Sequence, residues 1–441
     1  MNKPIDLLIE ARWIIPVEPA NVVLENYAVA VDKGRIVAVL QQSEASKLFS
    51  PREIKRLTHH ILIPGLINLH THAAMTLLRG LADDLPLMDW LQNHIWPAEA
   101  KHVSDQFVHD GTLLACAEML RGGITCFNDM YFFPKATARA AIASGIRAAI
   151  GLITLDFPTS YAADADDYLA KGLAARDELR DEPLLSFCLA PHAPYTVNDR
   201  NFAKVLTLSE QCDLPIHLHL HETSHEVDES VKHFGIRPIE RLHRLGLLSP
   251  ALIGAHGIYL TPDEIKILAQ HGCSIAHCPS SNLKLASGIA PITALSQHGV
   301  NIGLGTDSAA SNNRLDLFHE MRLAALLAKG NSGQANAIGA HQALHMATLS
   351  GARALGLDKN IGSITCGKAA DLCAVNTNDI GLLPCYDPAS LLVYSAGREH
   401  VSDVWVEGRY RVANGYLVET NEIELINLAA LWQNQIRPRN T

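Results

Sequence analysis

The stretch Ile61-Leu62-Ile63-Pro64-Gly65-Leu66-Ile67-Asn68-Leu69-His70-Thr71-His72 decides how the rest of the chain is read. Its apolar part, 61–69, reads as a buried strand that ends on two His separated by one residue. Side chains two apart on a strand face the same side. His70 and His72 therefore converge, and two converging imidazoles suit a transition metal. Seven more apolar runs of β type follow at 124–130, 147–154, 184–190, 215–220, 251–256, 273–277 and 301–305. Between most of them lie helix-length segments with 3.6 periodicity, such as 106–121, 202–211 and 315–328. Eight strand–helix units over residues 61–360 predict a (β/α)8 barrel of the TIM type, an α/β fold. A doubly wound sheet is the alternative. It needs no equal count of eight, and the chain carries no G-x-G-x-x-G, no Walker loop and no internal repeat.

Outside this middle the texture changes. Residues 27–31 and 35–40 alternate across Asp32-Lys33-Gly34, a hairpin signal, and short strands return at 370–375 and 401–412 with Glu407-Gly408 as a turn. Two β-rich ends predict a small, discontinuous β-sandwich domain, residues 1–60 and 361–441, around a 61–360 barrel. Length and composition agree: 441 residues, 48% hydrophobic and 19% charged, exclude disordered, collagenous and coiled-coil classes. A net charge of −10 and the lack of any Lys/Arg run argue against nucleic acid as a partner. No apolar stretch approaches the roughly 20 residues of a membrane span. The 9 Cys are scattered singly without a C-x-x-C pair, so a reduced, cytoplasmic protein is expected. A homo-oligomer is compatible with all of this.

The anomalous number is 22 His. In a barrel the chemistry sits at the C-terminal ends of the strands, and the His gather there. The first run ends on His70 and His72, the fourth is followed by His192, and the fifth ends His219-Leu220-His221-Glu222. The sixth ends on His256, the seventh on His277, and the eighth leads into Thr306-Asp307. An H-x-H pair, a further strand-end His and a strand-end Asp supply three nitrogens and one oxygen to a metal, with room for water. His217, His219 and His221 alternate and share a face, so periodicity does not separate them. His219 is taken as the ligand because it stands three residues before the acid Glu222, and His217 as a deeper, hydrogen-bonded core residue. His221-Glu222-Thr223-Ser224-His225 also fits the H-E-x-x-H pattern of helical zinc proteases. That pattern needs both His on one helix, whereas His221 belongs to an alternating strand. Thr223 with Glu226 reads as a capping box opening the next helix.

Three stretches resemble the amidohydrolase superfamily: 64–72 its opening signature, Gly305-Thr306-Asp307 its strand-eight metal aspartate, and 361–372 its return to the small sandwich. Dinuclear members carry a bridging Lys on strand four. Here Cys188-Leu189-Ala190-Pro191-His192 has none, so the chain resembles the mononuclear branch, which includes aminohydrolases of purines, pyrimidines and triazines. Trp90-Leu91 with Ile95-Trp96-Pro97-Ala98-Glu99, then 190–196, then His277-Cys278-Pro279-Ser280-Ser281-Asn282-Leu283-Lys284 resemble the 5′-methylthioadenosine/S-adenosylhomocysteine deaminase group.

The resemblance implies one divalent cation, zinc, on His70, His72, His219 and Asp307, and hydrolytic loss of the 6-amino group of an adenine nucleoside. Asp307 would also take the proton of the attacking water and pass it to ammonia, while His256 would hold that water. Glu222 would protonate the purine at N1, Glu99 would accept the ribose hydroxyls, and His192 would touch substrate. Family members use an Arg near Arg147 for substrate, but its place at the start of strand three favours a structural role. Asn282 and Lys284 are expected to shape the strand-seven loop. A mononuclear enzyme acting on a free base such as guanine, or on a chlorotriazine, is the alternative. The ribose contact of Glu99 separates the two.

Overall fold

Two left-handed residues in a row make the tightest turn that matches the twist of an antiparallel pair. Lys33 (φ 49°) and Gly34 (φ 75°) do this at the first hairpin, and Glu407 (φ 51°) and Gly408 (φ 69°) repeat it near the other end of the chain. The structure, a computed structural model, describes residues 2–437. Four strands come first: β1 (Lys3–Ile14), β2 (Leu24–Asp32), β3 (Arg35–Gln41) and β4 (Phe49–Pro64). The next eight are β5 (Leu66–Thr71), β6 (Ile124–Tyr131), β7 (Arg147–Thr154), β8 (Leu185–Pro191), β9 (Ile216–Leu220), β10 (Leu252–His256), β11 (Ser274–His277) and β12 (Asn301–Leu304). Late in the chain come β13 (Leu372–Asn376), β14 (Val401–Val406), β15 (Arg409–Ala413) and β16 (Tyr416–Leu417). One eight-stranded sheet runs β16-β15-β14-β13-β4-β1-β2-β3 and is built from both chain ends.

The second sheet has the order β12-β11-β10-β9-β8-β7-β6-β5, every neighbour parallel. Its two edges meet. The Asp307 N–H donates to the His70 carbonyl at 3.0 Å. Asn68 Nδ2 donates to Thr306 Oγ1 at 2.7 Å, and the Thr306 N–H donates to Asn68 Oδ1 at 2.9 Å. The eight strands therefore form a closed (β/α)8 barrel. Its strands are buried on both faces and so read as continuous apolar runs.

Two features differ from the expectation. The run 61–69 is not one strand: β4 ends at Pro64 in the first sheet and β5 starts at Leu66 in the barrel. Hydrophobicity is continuous across the junction because both strands are buried. The break falls at Gly65, where a Cβ would lie 2.1 Å from Thr125 Oγ1. Only glycine lets the chain cross between the sheets there. The second feature is the tail, where Glu422–Ile436 is a helix. It lies on the barrel helix Asp105–Arg121, with Trp432 Nε1 donating to Asp110 Oδ2 at 2.9 Å and its ring edge-on to Phe107. The division into 1–60 plus 361–441 and 61–360 stands as our proposal, with β4 crossing it by four residues. No described helix is long and apolar enough to cross a membrane.

Candidate active site

The C-terminal ends of β5, β9 and β12 bring four side chains together. The ligand atoms of His70, His72, His219 and Asp307 all lie within 4.8 Å of one another. His70 Nε2 and His72 Nε2 are each 3.3 Å from Asp307 Oδ1. The second ring nitrogens are occupied from behind. His72 Nδ1 donates to the Met130 carbonyl at 2.5 Å, and His219 Nδ1 donates to the His192 carbonyl at 2.8 Å. Carbonyls only accept, so both Nδ1 atoms hold the proton and both Nε2 atoms present lone pairs.

Those two lone-pair nitrogens nevertheless face each other at 3.2 Å. Two acceptors at that distance repel, and a cation between them removes the conflict. His70 Nε2 is also buried without a hydrogen-bond partner. Asp307 Oδ2 accepts from Ser281 Oγ at 2.6 Å and Ser311 Oγ at 2.9 Å, which leaves Oδ1 for the centre. Three imidazole nitrogens and one carboxylate oxygen fit one divalent transition metal with a position left for water.

The three alternating His of β9 separate cleanly. His217 Nε2 lies 2.9 Å from His70 Nδ1, so it supports a ligand from the layer below. His219 reaches the centre. His221 adopts φ 54°, which breaks the alternation. Its Nδ1 donates to the Tyr259 carbonyl at 3.0 Å and its Nε2 accepts from the Ile239 N–H at 3.3 Å, so it faces away. Glu222 enters the cavity instead, 6% exposed, with Oε2 3.8 Å from His256 Nε2. Burial raises its pKa, as does the charge of Asp307, while His256 and His72 oppose the shift.

The H-E-x-x-H pattern dissolves, since His225 is exposed one residue inside the helix Ser224–Phe234. Thr223 caps that helix by accepting from the Glu226 N–H at 3.1 Å. The capping box is only half made. The Glu226 carboxyl accepts from the His221 and Glu222 N–H groups at 2.9 and 2.8 Å. Burial pushes it up to about 7.

His256 Nδ1 donates to Asn282 Oδ1 at 2.8 Å, and its Nε2 is buried and unpartnered on the cavity side. Asn282 thus orients His256. Lys284 ties loops together through Asp83, the Ala310 carbonyl and Asn313, away from the centre. Glu99, from the helix Trp96–His102, is half-buried and accepts from Tyr131 Oη at 2.6 Å. Burial pushes its carboxyl up to about 6, against the Tyr131 hydrogen bond and His72. His192 hydrogen-bonds Thr196 Oγ1 at 3.0 Å, and burial lowers its pKa to about 3.

These residues share one cavity of about 700 Å³, which His72, Glu99, Tyr131, His192, Glu222, His256 and Asp307 all line. His277 at the end of β11 is buried outside this lining. Arg147 sits at the opposite end of the barrel. Its guanidinium pairs with Asp371 at 2.6 Å and Glu407 at 2.9 Å, bolting the barrel to the first sheet. Sequence reasoning missed Tyr131, Ser311 and the buttressing roles of Asn282 and Glu226. Ser281 and Asn282 lay in a stretch already singled out, and Glu226 had been read only as a helix cap.

Residues 61–411 match the amidohydrolase family. The chain belongs to that family. It is 45% identical to 5-methylthioadenosine/S-adenosylhomocysteine deaminase of Saccharophagus degradans, over 98% of this chain and 97% of that one. It is 41% identical to 5′-deoxyadenosine deaminase of Methanothermobacter thermautotrophicus, over 88% and 91%. The crystal structure of an adenosine deaminase from Xanthomonas campestris with bound zinc superposes with a TM-score of 0.98 at 49% identity, covering 99% of this chain and 100% of that one.

Proposed function

We propose that this amidohydrolase hydrolyses the 6-amino group of an adenine nucleoside, 5′-methylthioadenosine and/or S-adenosylhomocysteine, giving the inosine analogue and ammonia. It uses one Zn²⁺ held by His70, His72, His219 and Asp307. The observation that carries this reading is one cavity lined by three of the four clustered ligand side chains, His72, His219 and Asp307, together with the buried acid Glu222 and a second carboxylate, Glu99. The bound cation supplies a nucleophile at neutral pH by lowering the pKa of a water to about 7.

The chain's own residues do the rest. Glu222, whose pKa burial raises, donates to N1 and makes C6 electrophilic. His256 accepts a hydrogen bond from the attacking water at Nε2, with Asn282 fixing the ring. Asp307 takes one proton of the water and returns it to the departing amine, so a C6–O bond forms, the C6–N bond breaks and ammonia leaves, while the remaining hydroxyl proton restores Glu222 as the C6 carbonyl forms and N1 keeps the proton it received. Glu99 accepts the ribose hydroxyls, with Tyr131 holding one carboxylate oxygen in place. His192 contacts the substrate at the wall. The free thiols of all 9 Cys agree with a cytoplasmic setting.

A panel of adenine nucleosides, adenine, guanine and a chlorotriazine, followed by ultraviolet absorbance and ammonia release, tests the assignment. Deamination of the nucleosides is expected. Turnover confined to a free base or a triazine would refute it.

A further inference from the structure

The nucleoside reading leaves the 5′ end of the substrate open, and the cavity wall bears on it directly. We infer that the site selects an uncharged, apolar 5′ substituent, so that methylthioadenosine is turned over in preference to S-adenosylhomocysteine. The inference rests on the proposed deaminase activity. The two candidates share adenine and ribose and differ beyond C5′. One ends in a thioether methyl, the other in an α-ammonium and an α-carboxylate.

The wall that continues from Glu99 is apolar. Leu91, Ile95 and Trp96, from the helical stretch that carries Glu99, line the cavity, and Leu155 and Phe157 after β7 line it from across. Ile95 is buried, while Trp96 and Phe157 are 37% and 44% exposed and stand at the mouth, where a bound group would cover them. A methylthio group gains by displacing water from such surfaces. The sulfur adds soft contacts to aromatic rings.

A zwitterion meets the opposite environment. Among the described lining residues there is no Lys or Arg, and the carboxylic side chains are Glu99, Glu222 and Asp307. A second chamber of about 600 Å³ adjoins the first, sharing Leu87, Phe157, Tyr195, Thr196 and Glu222 with it, and is where a longer 5′ chain could reach. Its one Arg is Arg241, 3% exposed. Each nitrogen of that guanidinium is already committed: Nε donates to Asp199 at 2.7 Å, Nη1 to the Pro194 carbonyl at 2.6 Å and Nη2 to the Val197 carbonyl at 3.1 Å. The chamber's other ionisable side chains are the carboxyls of Asp156, Glu226 and Glu229 and the exposed imidazoles of His225 and His233. A carboxylate entering it loses water, meets no Lys and no uncommitted Arg, and faces three carboxyl groups.

The test measures kcat/KM of the native, metal-loaded enzyme for methylthioadenosine, adenosine and S-adenosylhomocysteine under one set of conditions. Methylthioadenosine should exceed S-adenosylhomocysteine by about ten- to a hundredfold, the range for leaving a buried polar group unpaired. Equal values, or a preference for S-adenosylhomocysteine, would overturn the inference while leaving the deaminase reading intact. No turnover of any of the three would instead overturn both. In Trp96→Ala the ratio of methylthioadenosine to adenosine should fall about three- to tenfold, roughly the loss of a part-buried aromatic contact. An unchanged ratio would show that this wall does not hold the 5′ group.

Discussion

Removing the Glu99 carboxylate should damage the reaction only for substrates that carry ribose hydroxyls. Glu99 Oε1 already accepts one hydrogen bond, 2.6 Å from Tyr131 Oη, and burial raises its pKa to about 6. Above that pH it is a carboxylate with lone pairs left for a vicinal diol. Hydrogen bonds to a charged acceptor contribute about 1.5–3 kcal/mol. Glu99→Ala should therefore lower kcat/KM for the ribonucleoside by roughly ten- to a few-hundredfold, at 1.4 kcal/mol per decade. The 2′,3′-dideoxy analogue lacks the diol, so it should be a poor substrate of the native enzyme and lose little more in the variant. The sign of the pH effect comes from the raised pKa. As pH falls through about 6, Glu99 gains a proton and loses acceptor capacity. The KM of the ribonucleoside should then rise on acidification, that of the dideoxy analogue should not, and the difference should vanish in Glu99→Ala. Steady-state kinetics from pH 5 to 8 on both substrates gives all four curves. If Glu99→Ala harms both substrates equally, or the native enzyme does not discriminate between them, the carboxylate does not read ribose.

Glu222→Gln keeps the shape but cannot give N1 a proton. Turnover should fall by roughly 10²–10⁴-fold with metal content unchanged, and near-native turnover would remove Glu222 from the mechanism. Exhaustive chelation should abolish activity and lower Tm, with both recovered by one equivalent of Zn²⁺. Ligation of the folded state alone stabilises it by about 2.7 kcal/mol at a hundred times Kd, so an unchanged Tm would contradict a structural grip on the ion by three strands. Arg147→Met leaves buried Asp371 without its partner and should destabilise the protein by about 3–5 kcal/mol. Active enzyme at low temperature should keep its KM, and a raised KM would return Arg147 to the substrate site.

A barrel forces much of its own legibility in sequence. Strands buried on both faces are continuous apolar runs, and their C-terminal ends carry the chemistry. His70, His72, His219, His256 and Asp307 could thus be located from the last residues of each run and the few beyond it. The same logic fails where hydrophobicity does not change between neighbours. Pro64 and Leu66 are equally apolar although they belong to different sheets, and the steric fact that separates them, Thr125 beside Gly65, lies sixty residues away in the sequence. Tyr131 closes an apolar run and so reads as core, although its hydroxyl serves Glu99. Asn282 and His256 are 26 residues apart, and only folding joins them. Periodicity also left His217, His219 and His221 equivalent, because all three occupy one face of an ideal strand.

Backbone strain breaks that equivalence. His221, His256 and Asp307 take φ values of 54°, 73° and 58°, each just past the end of its strand or at its last residue. Left-handed conformations cost a residue with a Cβ about 1–2 kcal/mol, and three at one barrel mouth need compensation from their surroundings. Each has it. The His221 and Glu222 N–H groups are gathered by the Glu226 carboxyl, His256 is held by Asn282, and the Asp307 N–H closes the barrel on the His70 carbonyl. At His221 the consequence is specific. In a regular strand the next inward side chain after His219 would be His221, and Glu222 would point outward into the helices. The turn at φ 54° exchanges them, burying His221 against Tyr259 and sending Glu222 into the cavity within reach of His256. An acid three residues from a ligand, rather than two, therefore reflects a strained turn at the strand end. That turn lets a single strand supply both a ligand and the acid that faces it.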